Sequence, residues 1–216
     1  MTLTAYMVSA AALVSTQAPA PAGAEAARSP FVERLRMLAQ LQSLNADLLS
    51  RDSATAVLQT LCARRDPNAP PIRARRLVVT ANAEQLAEAR RELGARPDEP
   101  VVHRRVELIC GSEILSRADN WYLPDRLTTT MNHALTTTDT PFGVAVQALR
   151  FQRRTLASRL MFTPLPTGWE TRVAADFDLA SPPPADVLEH RAVLQTPDGR
   201  RFSLLVEVYT NQIFTR

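Results

Sequence analysis

The chain has 216 residues, of which 45% are hydrophobic and 22% are charged, a composition typical of an ordinary water-soluble globular protein. All 25 basic residues are arginine, and the 22 acidic residues bring the formal net charge to only +3. No dense basic patch alternates with aromatic residues, which argues against a nucleic-acid-binding protein, and no segment is long and apolar enough to span a bilayer.

The first 30 residues differ from the rest of the chain. Met1–Val14 is apolar and rich in alanine, and an Ala/Pro-rich stretch follows from Ser15 to Ala27. An apolar run before an Ala-x-Ala-like stretch is typical of a secretory signal peptide, although no basic residue precedes Arg28. The alternative is a disordered Ala/Pro tail. We therefore predict a signal-like or disordered segment over 1–30 and a single domain over 31–216. If the segment is a signal peptide, the protein would be periplasmic or secreted, and otherwise it would be cytoplasmic.

The first part of this domain is predicted to be mainly helical. Leucines recur at spacings of three or four and predict an amphipathic helix from Phe31 to Leu49. Asp52 or Ser53 is suited to cap a second helix. After a Pro/Asn loop, the sequence predicts a strand over Ile72–Thr80 and then a third helix that ends at Gly94.

The remaining chain is dominated by strands. Alternation predicts a strand over Pro100–Cys110 and an antiparallel partner that ends at Pro124. The further predicted elements are helices near Arg126–Leu135 and Pro141–Leu149, a strand over Phe151–Phe162, a Pro-rich loop over Thr163–Pro184, and a hairpin of Leu188–Gln195 with Arg201–Thr210. The expected fold is α+β, with a mainly antiparallel sheet of five or six strands and helices on one side.

The chain has two cysteines, Cys62 and Cys110. Two cysteines this far apart do not make a zinc site, which requires four closely spaced ligands, so we expect no metal centre. In an exported protein the two could form one disulfide, and in the cytosol they would be buried thiols. We predict that they approach each other if the chain is exported.

One charged residue interrupts the last predicted strand. Glu207 shares a face with Leu205 and Tyr209. A carboxylate desolvated in such a place would have its pKa raised unless a cation lay beside it. Arg105 is a candidate cation, because it is central in a strand and on its more polar face. The alternative is that Arg105 and Glu207 both lie on a solvent-facing surface of the sheet.

Five short motifs occur in a fixed order along the chain: LLSRDSAT (Leu48–Thr55), HRRVELIC (His103–Cys110), RADNWYLP (Arg117–Pro124), TDTPFG (Thr138–Gly143) and FSLLVEVYT (Phe202–Thr210). In this order and spacing they resemble motifs of the chorismate pyruvate-lyases, which eliminate pyruvate from chorismate and leave 4-hydroxybenzoate. The resemblance extends from roughly Leu48 to Phe214.

The resemblance implies a chorismate-lyase-like fold and a set of site residues. Glu207 and Arg105 would be catalytic, with Arg105 holding the substrate carboxylate. Ala54, Asn120, Phe142 and Gly143 would complete the ligand site, although the family has arginine at the position of Asn120 and leucine at that of Phe142.

The expected function is elimination of pyruvate from chorismate, or action on a related small aromatic or carboxylate ligand. Because aromatisation drives the elimination, we expect no cofactor, and the protein has mainly to hold the substrate in a reactive pose. The alternative is a non-catalytic small-molecule-binding protein of the same fold, since effector domains of some transcription regulators resemble it. No convincing helix-turn-helix precedes the sheet. We expect the partner to be a small carboxylate and expect no nucleic-acid partner. The chain is expected to be monomeric.

Overall fold

The computed structural model describes residues 29–80, 82–173, 177 and 179–214. Nearly all of the predicted signal-like or disordered segment therefore lies outside the described residues, and its interpretation stays a prediction. None of the described helices combines the length and the apolar character needed to cross a bilayer.

A six-stranded sheet in the order β1-β2-β3-β6-β5-β4 forms the centre of the fold. All five neighbouring pairs are antiparallel. The strands are β1 Arg73–Leu77, β2 Val102–Cys110, β3 Glu113–Tyr122, β4 Gln152–Leu160, β5 Asp186–Gln195 and β6 Arg201–Thr210. The predicted α+β class with an antiparallel sheet is confirmed.

The described residues form five α-helices that pack on this sheet: α1 Pro30–Ser50, α2 Ala54–Arg65, α3 Ala83–Leu93, α4 Thr129–Thr137 and α5 Phe142–Ala145. Of the two predicted caps of α2, Asp52 and Ser53, it is Ser53 that accepts a hydrogen bond from the backbone N–H of Ala56. Gly94 ends α3 with a φ of 57°, in the left-handed region where a residue without Cβ is favoured.

Most helices cover one side of the sheet, which we call the inner face. Leu41 and Leu48 of α1 and Leu58 of α2 pack there against Leu108 and Tyr209. A second cluster joins α4 and α5 to the same face: Tyr122, Met131, Leu135, Phe142, Val146, Phe151, Leu194, Phe202 and Leu205. Burial of these apolar side chains fixes the helices over the sheet.

The helix α3 departs from the prediction that helices lie on one side only. Its residues Ala89 and Leu93 pack on the opposite, outer face, against Trp121, Val193 and Leu204. The outer face carries its own apolar stripe at this end of the sheet, and α3 removes that stripe from water.

A disulfide joins Cys62 to Cys110, with a Cα–Cα distance of 5.9 Å. Both cysteines are buried. The two residues thus meet as predicted for an exported chain, while export itself stays a prediction. The bond ties α2 to the end of β2.

Candidate functional site

A cavity of about 450 Å³, including its opening to solvent, lies between the inner face of the sheet and the helices α2 and α5. Its lining residues come from the start of α2, from α5 and from strands β2 to β6: Asp52, Ser53, Ala54, Thr55, Arg104, Val106, Leu108, Ala118, Asn120, Phe142, Gly143, Phe151, Arg153, Leu194, Leu205 and Glu207. We call it the inner cavity.

Five of the site residues predicted from the sequence meet in this cavity: Ala54, Asn120, Phe142, Gly143 and Glu207. They come from four separate parts of the chain, which the sheet and the helices α2 and α5 bring together. Their roles in binding or catalysis remain proposals.

Arg105 does not join them, and the prediction that it shares a pocket with Glu207 is wrong. Its side chain pairs with Asp119, with Nε 2.7 Å from Oδ1 and Nη2 2.8 Å from Oδ2. Asp119 lies opposite Val206 in the register, on the outer face, where the side chain of Arg105 is 38% exposed. The hydrogen-bonded carboxylate of Asp119 raises the pKa of Arg105.

The preceding residue, Arg104, supplies the cation that was predicted for Arg105. Successive side chains of a strand point to opposite faces, so Arg104 lies with Val106 and Leu108 on the inner face. Its Nη2 donates to the backbone carbonyl of Thr140 at 3.0 Å, and the residue is only 6% exposed. The Nε and Nη1 atoms are buried without a hydrogen-bond partner among the described residues.

Arg104 also forms no salt bridge with the residues that the structure describes. Desolvation by burial lowers its pKa. A guanidinium nevertheless remains protonated near neutral pH. Arg104 is therefore a buried positive charge that lacks a carboxylate partner within the described part of the chain.

Glu207 does have a cationic partner, but it is Arg153 of β4. Arg153 Nη2 lies 2.5 Å from Glu207 Oε2, and the Tyr209 hydroxyl donates to the same oxygen at 3.3 Å. Desolvation opposes the charge of Arg153, but Glu207 and Tyr209 outweigh it, so the pKa of Arg153 is raised. Burial and the neighbouring Glu207 raise the pKa of Tyr209 well above its ordinary value, which keeps the phenol protonated as a donor.

The second oxygen of Glu207, Oε1, accepts no hydrogen bond from the described residues. Because the carboxylate lines the inner cavity, Oε1 is available to a ligand. An ionised carboxylate only accepts hydrogen bonds, so the complementary ligand group is a donor.

His190 supports this arrangement from β5, directly across from Glu207 in the strand register. It is fully buried, with Nε2 2.8 Å from Asn45 Oδ1 and 3.0 Å from Ser158 Oγ. Desolvation, aided by Arg153, lowers the pKa of His190 to about 4. His190 is therefore neutral near pH 7 and adds no charge beside the ion pair.

Nothing in the described part of the chain brings three His, Cys, Asp or Glu side chains together in a way that could hold a metal ion. The chemistry that the cavity offers is that of two guanidinium groups, two carboxylates, an amide, two hydroxyl groups and apolar walls. These groups can bind and orient an organic anion and can accept a hydrogen bond from it.

Two solved structures overlap with part of this fold. The effector domain of PhnF from Mycobacterium smegmatis has a TM-score of 0.45 and 13% identity, covering 76% of this chain and 91% of that one. A GntR-family transcriptional regulator from Enterococcus faecalis has a TM-score of 0.40 and 10% identity, covering 66% and 96%. Overlaps of this extent carry no functional conclusion.

Sequence comparison gives a much stronger match. No family model matches the chain. It is 45% identical over 186 residues to the uncharacterized protein y4mC of Sinorhizobium fredii, an alignment that covers 84% of this chain and 78% of that protein. At this identity and coverage, the chain belongs to the same protein family as y4mC of Sinorhizobium fredii.

Proposed function

We propose that this protein binds a small organic carboxylate in the inner cavity, with Arg104 pairing with the carboxylate. The observation that carries the proposal is the buried guanidinium of Arg104, which has one backbone hydrogen bond and two nitrogens without partners in the part of the chain that the structure describes. An unpaired buried charge is costly unless an opposite charge and hydrogen bonds offset it. A carboxylate would supply both, because the planar guanidinium matches its two oxygens.

The rest of the cavity suits a ring attached to that carboxylate. Phe142, Phe151 and Leu205 provide apolar walls, and Glu207 offers Oε1 as an acceptor. A ring that carries a carboxylate and a hydroxyl group, such as 4-hydroxybenzoate, would satisfy both polar ends. The resemblance to chorismate pyruvate-lyases supports the same class of ligand.

Variants of the adjacent residues Arg104 and Arg105 form a matched pair for testing the proposal. We expect 4-hydroxybenzoate to bind the wild-type protein in isothermal titration calorimetry. Arg104→Gln should weaken binding about 10- to 100-fold, as expected when a hydrogen-bonded charge pair is lost. Arg105→Gln should change the dissociation constant less than about twofold, because Arg105 faces outward on the same strand.

Thermal melts of both variants would confirm that they are folded. Equal binding by the wild-type protein and Arg104→Gln would overturn the proposal, as would absence of binding to 4-hydroxybenzoate and to benzoate.

A second candidate function is elimination of pyruvate from chorismate. The observation that favours it is Glu207, a carboxylate in the same cavity as Arg104 with one oxygen free for a substrate hydroxyl or for proton transfer. Incubation with chorismate, followed by quantification of 4-hydroxybenzoate and pyruvate, tests it. Equal amounts of both products would support catalysis, and binding without products would leave the binding function alone.

A further inference from the structure

Asn120 brings a second unused hydrogen-bond donor to the inner cavity. It lies directly opposite Arg104 in the pairing of β2 with β3, so the two side chains are neighbours on the inner face, and both residues line the cavity. Asn120 is 2% exposed, and its Nδ2 atom has no hydrogen-bond partner among the described residues. A buried amide nitrogen in this state lacks the contact that would offset its desolvation, and an acceptor on a bound ligand would supply that contact.

Ser203 decides which end of the Asn120 amide is left unused. Its hydroxyl, on β6, donates a hydrogen bond to Asn120 Oδ1. Ser203 is fully buried and does not line the inner cavity, so its contact is with the amide and not with the space where a ligand would bind. Because Oδ1 is engaged by Ser203, the Asn120 amide offers the cavity N–H donors only.

A carboxylate bound at Arg104 requires donors of this kind. The two oxygens of a carboxylate accept about four hydrogen bonds, and one edge of a guanidinium supplies about two of them. In a buried site the remaining lone pairs must also be satisfied for the charge pair to be favourable. Arg153 also lines the cavity, but its charge is balanced by Glu207, so Arg104 and the adjacent Asn120 are the groups left for the anion.

We propose that Asn120 is a specificity-determining residue: its amide donates to the carboxylate that pairs with Arg104, and Ser203 is the positioning residue that orients the amide. This role rests on the proposed function and narrows its ligand class to ionised acids, as opposed to their carboxamides. A carboxamide has one oxygen where the acid has two, and its own N–H groups would face the donors of Arg104 and Asn120 without a partner.

The test compares 4-hydroxybenzoate with 4-hydroxybenzamide, which keeps the ring and the hydroxyl group. Ligand-observed NMR titration, which reaches weak affinities, should show that wild type binds the acid about 100-fold or more tightly than the amide. Asn120→Leu keeps the size of the side chain and removes its donors. It should lower this acid-to-amide ratio about fivefold, the effect of one lost hydrogen bond to a charged group.

Ser203→Ala tests the positioning role through a double-mutant cycle. It should lower the acid-to-amide ratio about two- to fivefold in the wild-type background, because the released amide can turn Oδ1 towards the anion. It should leave the ratio unchanged in the Asn120→Leu background, where no amide remains to be oriented. Ser116→Ala, at a buried serine of β3 that does not line the cavity, is the matched control and should keep the wild-type ratio.

Thermal melts establish that each variant is folded. If Asn120→Leu is not, the double variant Asn120→Leu/Ser203→Ala takes its place, because it leaves no hydroxyl of Ser203 without a partner. An unchanged ratio in the Asn120 variant, while Arg104→Gln still weakens binding of the acid, would refute the role of Asn120 and leave the carboxylate site standing. A loss in Ser203→Ala that is equal for acid and amide would refute the positioning role. If wild type does not bind the acid, the proposed function fails as well.

Discussion

Arg153 and Glu207, 54 positions apart in the chain, form an ion pair in which Nη2 and Oε2 are 2.5 Å apart. The side chains are 2% and 7% exposed. Because neither charge can turn to water, each depends on the other far more than the partners of a surface salt bridge do.

Removal of one partner should therefore lower the free energy of unfolding strongly. Arg153→Met is expected to lower the free energy of unfolding by about 3–5 kcal/mol, since it leaves Glu207 charged and unpaired. The double variant Arg153→Met/Glu207→Gln should recover part of this loss, whereas Arg154→Met, at the exposed neighbour, should stay within about 0.5 kcal/mol of wild type. Urea unfolding of these three variants and of Glu207→Gln alone measures the effects, and simple additivity in the double variant would contradict the coupling.

The neutral, buried His190 should make stability fall in mild acid. Its pKa is lowered from 6.5 to about 4 in the folded protein. As the pH falls from about 6.5 towards 4, the unfolded chain therefore takes up a proton that the folded chain does not, and stability decreases across that window before levelling off. The loss between pH 7.5 and 4.5 should be about 2–3 kcal/mol, the linkage value for a pKa lowered by this amount. Urea unfolding at pH 7.5 and 4.5 should show a smaller difference in His190→Gln than in wild type.

The disulfide should contribute substantially to stability. It closes a loop with a sequence separation of 48 between Cys62 and Cys110. The chain-entropy model for a loop of this length gives about 4 kcal/mol. Cys62→Ala/Cys110→Ala should show this loss in urea unfolding, and wild type in the presence of dithiothreitol should approach the variant. A variant as stable as the oxidised wild type would show that the bond adds nothing.

If chorismate is turned over, Glu207→Gln should slow pyruvate release by about 100-fold or more, the effect of losing a positioned acid–base group. The amide can still accept a hydrogen bond from Arg153, so the variant should lose less stability than Arg153→Met. A coupled lactate dehydrogenase assay measures the rate, and thermal melts give the stability. Undiminished pyruvate release would exclude Glu207 from the chemistry.

The periodic spacing of apolar residues predicted the helices and strands well, because the side chains that recur at this spacing are those whose burial holds each element on the core. It also identified Glu207, a charge on an otherwise apolar face. The same criterion applied to β2 would have selected Arg104, which alternates in phase with Val106 and Leu108. The polarity of its face points to Arg105 instead, but that polarity reflects exposure on the outer side of the sheet.

Arg153 gave no comparable signal. β4 is polar on both faces, so its alternation shows no contrast, and a β-bulge between Thr155 and Ala157 shifts the register within the strand. The register in which β4 pairs with β5 decides which arginine of β4 contacts Glu207. That register is a long-range relationship, and a local sequence pattern does not encode it. The position of α3 on the outer face was missed for a related reason, because a helix pattern shows which side is apolar but not which face of the sheet it covers.

The place of β4 at the end of the sheet has a consequence for dynamics. Among the described strands it pairs with β5 alone, yet it carries the arginine that neutralises Glu207. Terminal strands open locally at lower free energy than central ones, so amide hydrogen exchange should be faster in β4 than in β3 or β6. Each such opening would separate Arg153 from Glu207 without unfolding the domain. A ligand that fills the cavity and holds β4 closed would slow exchange in that strand first, which makes its amides a reporter of occupancy even before the ligand is identified.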